Sequence, residues 1–191
     1  VTPSGNDSFN CLSPTTACAT INGAIIKAEA GDTVYVSTGT YTGAGEEVVT
    51  IDKDITLSGG WETDFSTQNS TSTIDGSNER RGVTILSGFT ATIENFIIQN
   101  GNSYYGGGIR NFGFATINNC IFDGNSAIHG GGGIRNEVSM LLSHCHISNN
   151  NAGGSGGGIF NNGPLTIVNC VVATNTAEDD GGGIFNYESL T

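Results

Sequence analysis

The chain has 191 residues and a formal charge of −12, from 18 acidic and 6 basic side chains, with 30 glycines, 3 prolines and 5 cysteines. Such a surface repels nucleic-acid phosphates and anionic membranes and excludes both as partners, while it tolerates cationic partners or a divalent metal. Glycine without a three-residue spacing excludes collagen, and no apolar run reaches the roughly 18 residues of a membrane helix, so no transmembrane segment is expected.

Residues 1–17 are polar and turn-rich and read as an extended leader. Cys11 and Cys18 are close enough in sequence for a small disulfide loop. That pairing points to an oxidising compartment, and so to a secreted or cell-surface protein. Residues 18–31 are assigned a capping helix, because Ile21, Ala24, Ile25 and Ala28 fall at helical spacing and Gly31 supplies a stop. Placed before a run of strands, such a helix closes an end that would otherwise expose unpaired backbone. From Asp32 the pattern becomes strand-like. Residues 33–37 alternate, 39–43 turn, and 48–51, 55–57, 73–76, 83–86 and 91–93 read as further short strand segments. Residues 62–72 read as a projecting polar loop. We assign 32–105 to irregular coils and 106–191 to regular ones, with 18–191 forming one continuous domain.

The regular part is built on Gly106-Gly107-Gly108-Ile109-Arg110-Asn111, which returns at even steps from Gly131, Gly156 and Gly181. A fixed period of this size, roughly 25 residues to a coil, marks a stacked repeat. Six columns are apolar or thiol and are assigned to the interior: those of Ile109, Ala115, Ile117, Cys120, Phe122 and Ala127. The columns of Thr116 and Ile121 alternate with them and face outward. Cys120, Cys145 and Cys170 occupy one repeat position and read as stacked buried thiols rather than a disulfide framework or a zinc site. Two asparagine columns, Asn111, Asn136, Asn161 and Asn186, and Asn100, Asn125, Asn150 and Asn175, are assigned to coil corners, where asparagine tolerates left-handed backbone and its amide bonds the asparagine above and below. The triple glycines suit tight corners or close backbone approach. Together these features predict an all-β fold, a right-handed parallel β-helix with three short strands per coil. Leu190 and Thr191 fall where Leu165 and Thr166 fall one period earlier. A fragment is therefore expected, or a protomer whose last coil something else completes.

The pairing of Gly-Gly-Gly-Ile with Phe122-Asp123-Gly124-Asn125 resembles the GGA(I/L/V) and FxxN repeats of chlamydial-type polymorphic membrane proteins. The resemblance is strongest over 97–191, and implies a surface adhesin whose passenger segment is a β-helix of the pectin-lyase-like class. Residues 18–61, with Gly31-Asp32-Thr33-Val34, resemble the opening coil of that wider class. The departures are a third glycine where that family has alanine, and a single literal FxxN.

Catalytic chemistry has little to stand on. A glycosidase needs two carboxylates converging on one face, yet the column Asp123, Ser148, Ala173 is not acidic throughout. Glu178, Asp179 and Asp180 read as a solvated loop, with a weak calcium site as the alternative; no other cofactor is implied. His144 and His146 flank Cys145 without an evident third metal ligand. An ice-binding face needs an outward ladder of threonines, and Leu141 between Thr116 and Thr166 weighs against one. The outward column Arg110, Arg135, Phe160, Phe185 is the candidate contact surface, because adjacent exposed aromatics are uncommon without use. The expected function is a non-enzymatic extracellular module, a cell-surface adhesin or structural stalk, whose partner is a protein or glycan on another surface. Carbohydrate binding or processing is one alternative, favoured if two acids and an arginine converge in one groove. Head-to-tail assembly of copies of the chain is the other.

Overall fold

The computed structural model describes residues 1–191 as an all-β parallel solenoid of about 6 turns with one short helix near the N-terminus. Three six-stranded sheets run the length of the stack. The first holds Thr33–Ser37, Ile55–Trp61, Thr90–Glu94, Phe114–Asn118, Ser139–Ser143 and Leu165–Val168. The second holds Thr40–Tyr41, Ser72–Asp75, Phe96–Gln99, Ile121–Asp123, His146–Ser148 and Val171–Ala173. The third holds Glu47–Ile51, Arg81–Ile85, Ile109–Asn111, Ile134–Asn136, Ile159–Asn161 and Ile184–Asn186. A fourth sheet of four short strands, Asn102–Tyr105, Ser126–Gly130, Asn151–Ala152 and Thr176–Ala177, was not foreseen by the three-strand coil. Nor was strand Thr40–Tyr41, which replaces the expected turn at 39–43.

Period-two alternation drives this arrangement, because only alternate side chains of each strand can leave water. The inward column Val34, Leu57, Ile93, Ile117, Leu142 of the first sheet is buried throughout. Phe96 and Phe122 are the largest fully buried side chains of the interior. The sequence repeat becomes a register in which each residue lies over its own copy: Ile109 over Ile134, Ile134 over Ile159, Ile159 over Ile184.

The triple glycine has a separate reason at each place. Gly131 has φ +71°, a region in which a side chain is strained. A Cβ on Gly132 would collide with the Asn151 carbonyl oxygen, and one on Gly133 would stand 2.7 Å from the Gly158 carbonyl oxygen. Their amides reach the next coil directly, Gly132 N to Gly156 O at 3.2 Å and Gly133 N to Gly157 O at 3.1 Å.

The asparagines divide differently from the sequence expectation. Asn111 donates to Asn136 Oδ1 at 2.8 Å, Asn136 to Asn161 Oδ1 at 2.8 Å, and Asn161 to Asn186 Oδ1 at 2.7 Å. This ladder lies within a strand column and not at a left-handed corner. In the second ladder Asn125 donates to Asn150, and Asn150 to Asn175, both at 2.9 Å. Asn100 is not part of it. That coil is one residue shorter, so Gln99 pairs with Asp123 and Gly101 takes the ladder position, its amide bonding Asn125 Oδ1 at 2.8 Å. Asn100 has φ +51° and stands instead with Gly124, Asn149 and Thr174 at a left-handed corner. A second such corner, between first and second sheets, is Asn95, Asn119, His144 and Asn169, and the first glycine of each triplet makes a third.

The first residues are not an extended leader. Val1 and Thr2 are buried, and Val1 O accepts from Ser37 N at 2.9 Å, so the segment docks on the first strand of the first sheet. Cys11 and Cys18 form a disulfide. Asp7 then fastens the segment to the helix, accepting from Ala19 N at 2.8 Å, Thr20 N at 2.9 Å and Thr20 Oγ1 at 2.6 Å. The helix spans Ile21–Lys27, shorter than expected, with Thr20 as N-cap and an extended Ala28 ending it. Its buried face, Ile21, Ala24 and Ile25, joins the solenoid core.

Candidate functional site

Four residues at the outward position of the third sheet, Arg110, Arg135, Phe160 and Phe185, follow one another in register. Their neighbours come from two flanking columns. Tyr105 ends a strand of the fourth sheet just before the triple glycine. Phe112, Glu137, Asn162 and Tyr187 lie just past the third sheet, again one repeat apart.

These groups interlock. The Arg110 guanidinium carbon lies 5.0 Å from the Tyr105 ring centroid and 4.4 Å from that of Phe112. That of Arg135 lies 4.4 Å from Tyr105 and 4.3 Å from Phe160, so each guanidinium is held between two rings. Phe160 and Phe185 stack at 5.1 Å, and Tyr187 meets Phe185 edge-on at 5.1 Å. The sequence reading left both phenylalanines open to solvent; the structure half-buries them, with Arg135 against Phe160 and Tyr187 against Phe185. Tyr187 is the exposed ring of the group, at 69%.

Glu137 ties the two arginines together. Its Oε1 receives Arg135 Nε at 2.5 Å and Arg110 Nη2 at 3.4 Å, and its Oε2 receives Asn162 Nδ2 at 3.3 Å. Burial pushes the Glu137 carboxyl up, but the hydrogen bond and charge of Arg135, with Asn162 and Arg110, outweigh it and hold the carboxyl below its ordinary value. One coil earlier Arg81 repeats the theme, pairing with Glu47 at 3.3 Å and donating to Ser103 Oγ at 2.6 Å and Gly106 O at 3.0 Å. Burial lowers the Arg81 pKa from its ordinary value, opposed by the charge of Glu47. The result is a band along the solenoid axis that holds three of the six cations of an acidic protein, two of them, Arg110 and Arg135, set against aromatic rings.

Tyr105, Phe112 and Tyr187 were not singled out from sequence, and Glu137 was visible there only as one of the acids outside the core. The 112, 137, 162, 187 column was open to reading at the same period, but its mixed chemistry hid it.

The other candidates stand apart from the band. Glu178, Asp179 and Asp180 are exposed and follow the preceding coil through backbone bonds, such as Glu178 N to Ala152 O at 3.0 Å. No group of three or more histidine, cysteine, aspartate or glutamate side chains gathers at metal-binding separations. His144 occupies a left-handed corner, its Nε2 3.3 Å from Asn169 Nδ2, while His146 Nδ1 is 3.3 Å from Ser148 Oγ. Cys120 and Cys145 turn their thiols to backbone carbonyls, Asn118 O and Ser143 O, each at 3.3 Å. Burial pushes the Cys120 thiol up, and that of Cys145 up to about 11, so both stay protonated at neutral pH and are poor nucleophiles.

Compared with known proteins, the chain matches no protein-family model, no curated protein and no solved structure.

Proposed function

We propose that this chain is a non-enzymatic extracellular recognition module, a cell-surface adhesin or stalk segment of the polymorphic-membrane-protein type, and that the arginine–aromatic band is its contact surface. One observation carries the reading: Arg110, Arg135, Phe160, Phe185 and Tyr187 form an ordered run along the solenoid, with cation–ring distances of 4.3–5.0 Å. Arginine and aromatic side chains dominate binding energy where they are prearranged, because little rotamer freedom is lost on contact. The Cys11–Cys18 disulfide supports an oxidising, extracellular setting. Stacked coils supply the rigidity a stalk needs, since each rung is tied to the next by backbone bonds.

The ligand is a protein or a glycan. The glycan reading draws on the convergence of Glu47, Glu137, Arg81, Arg110 and Arg135 on one face beside stacking rings. The test is the double variant Phe160→Ser/Phe185→Ser, assayed on cell layers, an extracellular-matrix panel and a glycan array. Binding to one ligand class by the native chain, lost in the variant with unchanged circular dichroism, is the expected result. Equal binding by both proteins sinks the assignment of the band.

A further inference from the structure

The first sheet carries a second ordered surface, on a different face from the band. Its middle outward position reads Thr33, Thr56, Thr92, Thr116, Leu141, Thr166, each over the next in strand register. Thr166 continues to Thr191, with Oγ1 atoms 3.2 Å apart. The regular repeat alone displays only Thr116, Leu141 and Thr166, and looks broken. The irregular coils extend it by three threonines, so that four in succession lie on the helix side of Leu141.

Three properties set this rank apart. Thr33 is exposed and Thr56, Thr92 and Thr116 are half-exposed, so all four meet solvent. Their hydroxyls form no hydrogen bond within the chain, unlike the buried Ser72 hydroxyl, which is satisfied by Val36 O and Ser37 O. The six strands of this sheet contain no lysine or arginine and a single acid, Glu94, which is occupied by Ser58 Oγ at 2.8 Å. On a molecule with 24 charged side chains (18 acidic and 6 basic), this face is nearly free of them.

We infer that this face binds ice. Parallel rungs set one hydroxyl and one methyl every ~4.8 Å along the stack. Waters bridging identical groups at a spacing fixed by backbone lose little further freedom on ordering, because the sites do not move relative to one another. Strong charges would impose competing hydration shells, and the strands of this face carry only Glu94, which already accepts from Ser58 Oγ. The β-branched side chain is stiff at χ1, so holding each hydroxyl in place costs little rotamer freedom. The partner is thus a crystalline water surface, met by a pre-ordered water layer along the threonine rank. Leu141 marks the gap in that rank, and Phe114, exposed in the adjoining column, limits its width.

The experiment measures thermal hysteresis and ice recrystallisation with the full chain, and follows incorporation of fluorescently labelled chain into a slowly growing ice hemisphere. The native chain should widen the gap between melting and freezing and enter the ice. Thr92→Tyr should abolish both effects, and Leu141→Thr, which joins Thr116 to Thr166, should increase them. Circular dichroism confirms the fold of each variant, and Phe160→Ser/Phe185→Ser should retain full ice activity, which separates this face from the band. A native chain that neither shifts freezing nor enters ice overturns the proposal. So does a folded Thr92→Tyr variant with undiminished activity, or native adsorption to crystalline cellulose or chitin without any effect on ice.

Discussion

One interior column shows how the two halves of the solenoid differ. In the third sheet it runs Ile51, Ile85, Asn111, Asn136, Asn161, each with no exposed surface. The irregular coils fill the site with isoleucine and gain stability by transfer from water. The regular coils fill it with an amide that must be paired, and its partners are the asparagine one rung away together with nearby backbone, as where Asn111 Nδ2 also donates to Ser139 O at 2.9 Å. Each asparagine therefore depends on the register of the next rung, and the first of them, Asn111, lies over Ile85 and has its oxygen satisfied by Gly113 N at 3.0 Å. Isoleucine makes no such demand, and the irregular coils are free to vary in length. They are joined by the same parallel backbone pairing, Val49 over Val83 and Leu57 over Ile93, and the helix is tied on by individual side-chain bonds such as Asn22 Nδ2 to Val48 O at 3.2 Å.

Four substitutions or conditions would break this contrast, in descending order of effect. Gly132→Val places a side chain against the Asn151 and Gly157 carbonyls, which belong to backbone and cannot step aside. It should cost more than about 4 kcal/mol, measured by urea unfolding, and an effect below ~1 kcal/mol would show that the coils are not in this close register. Asn136→Ala strips the ladder of a central member and leaves the Asn111 amide and the Asn161 oxygen each short of a bond. A loss of about 3 kcal/mol is expected, set against a similar or smaller loss for Ile85→Ala, where nothing polar is orphaned. If the two substitutions respond alike to an added Asn161→Ala, the ladder is not cooperative.

Replacing both Cys11 and Cys18 by serine should cost about 2–3 kcal/mol. Hydrogen exchange should place the loosening at residues 1–30 and leave the regular coils protected, as nearest-neighbour coupling requires. The smallest effect is electrostatic. The Glu137 carboxyl is held below its unfolded value, so its contribution is complete above about pH 4.3 and fades as pH falls through the folded value. Chemical shifts of Arg110 and Arg135 side chains should move in acid while the ladder amides do not. Glu137→Gln should remove that acid response.

What could be read from the sequence follows the same division. Wherever the repeat keeps its full step, columns could be aligned by eye, and the interior of the regular coils, the thiol column and the Asn111 ladder were all accessible. Asn100 was misplaced because its coil is one residue shorter, and a period fitted to later coils put it one position off. The threonine rank escaped for the same reason: the steps from Thr33 to Thr56, to Thr92 and to Thr116 are all unequal, and only then does the regular period begin. The docking of Val1 and Thr2 carried no periodic signal, since it depends on one edge strand and one disulfide. The burial of Phe160 and Phe185 was hidden because it comes from Arg135 in their own column and Tyr187 in a flanking one, both columns changing residue type from rung to rung.

The close glycine corners have an evolutionary consequence. A unit that begins and ends at equivalent corners can be duplicated or deleted whole without disturbing any rung that remains. Each copy gained would lengthen every ladder and every surface column by a single residue. Lineages carrying such a gene can thus edit an outward face one letter at a time, and set its length by copy number, while the interior inherits an unchanged template.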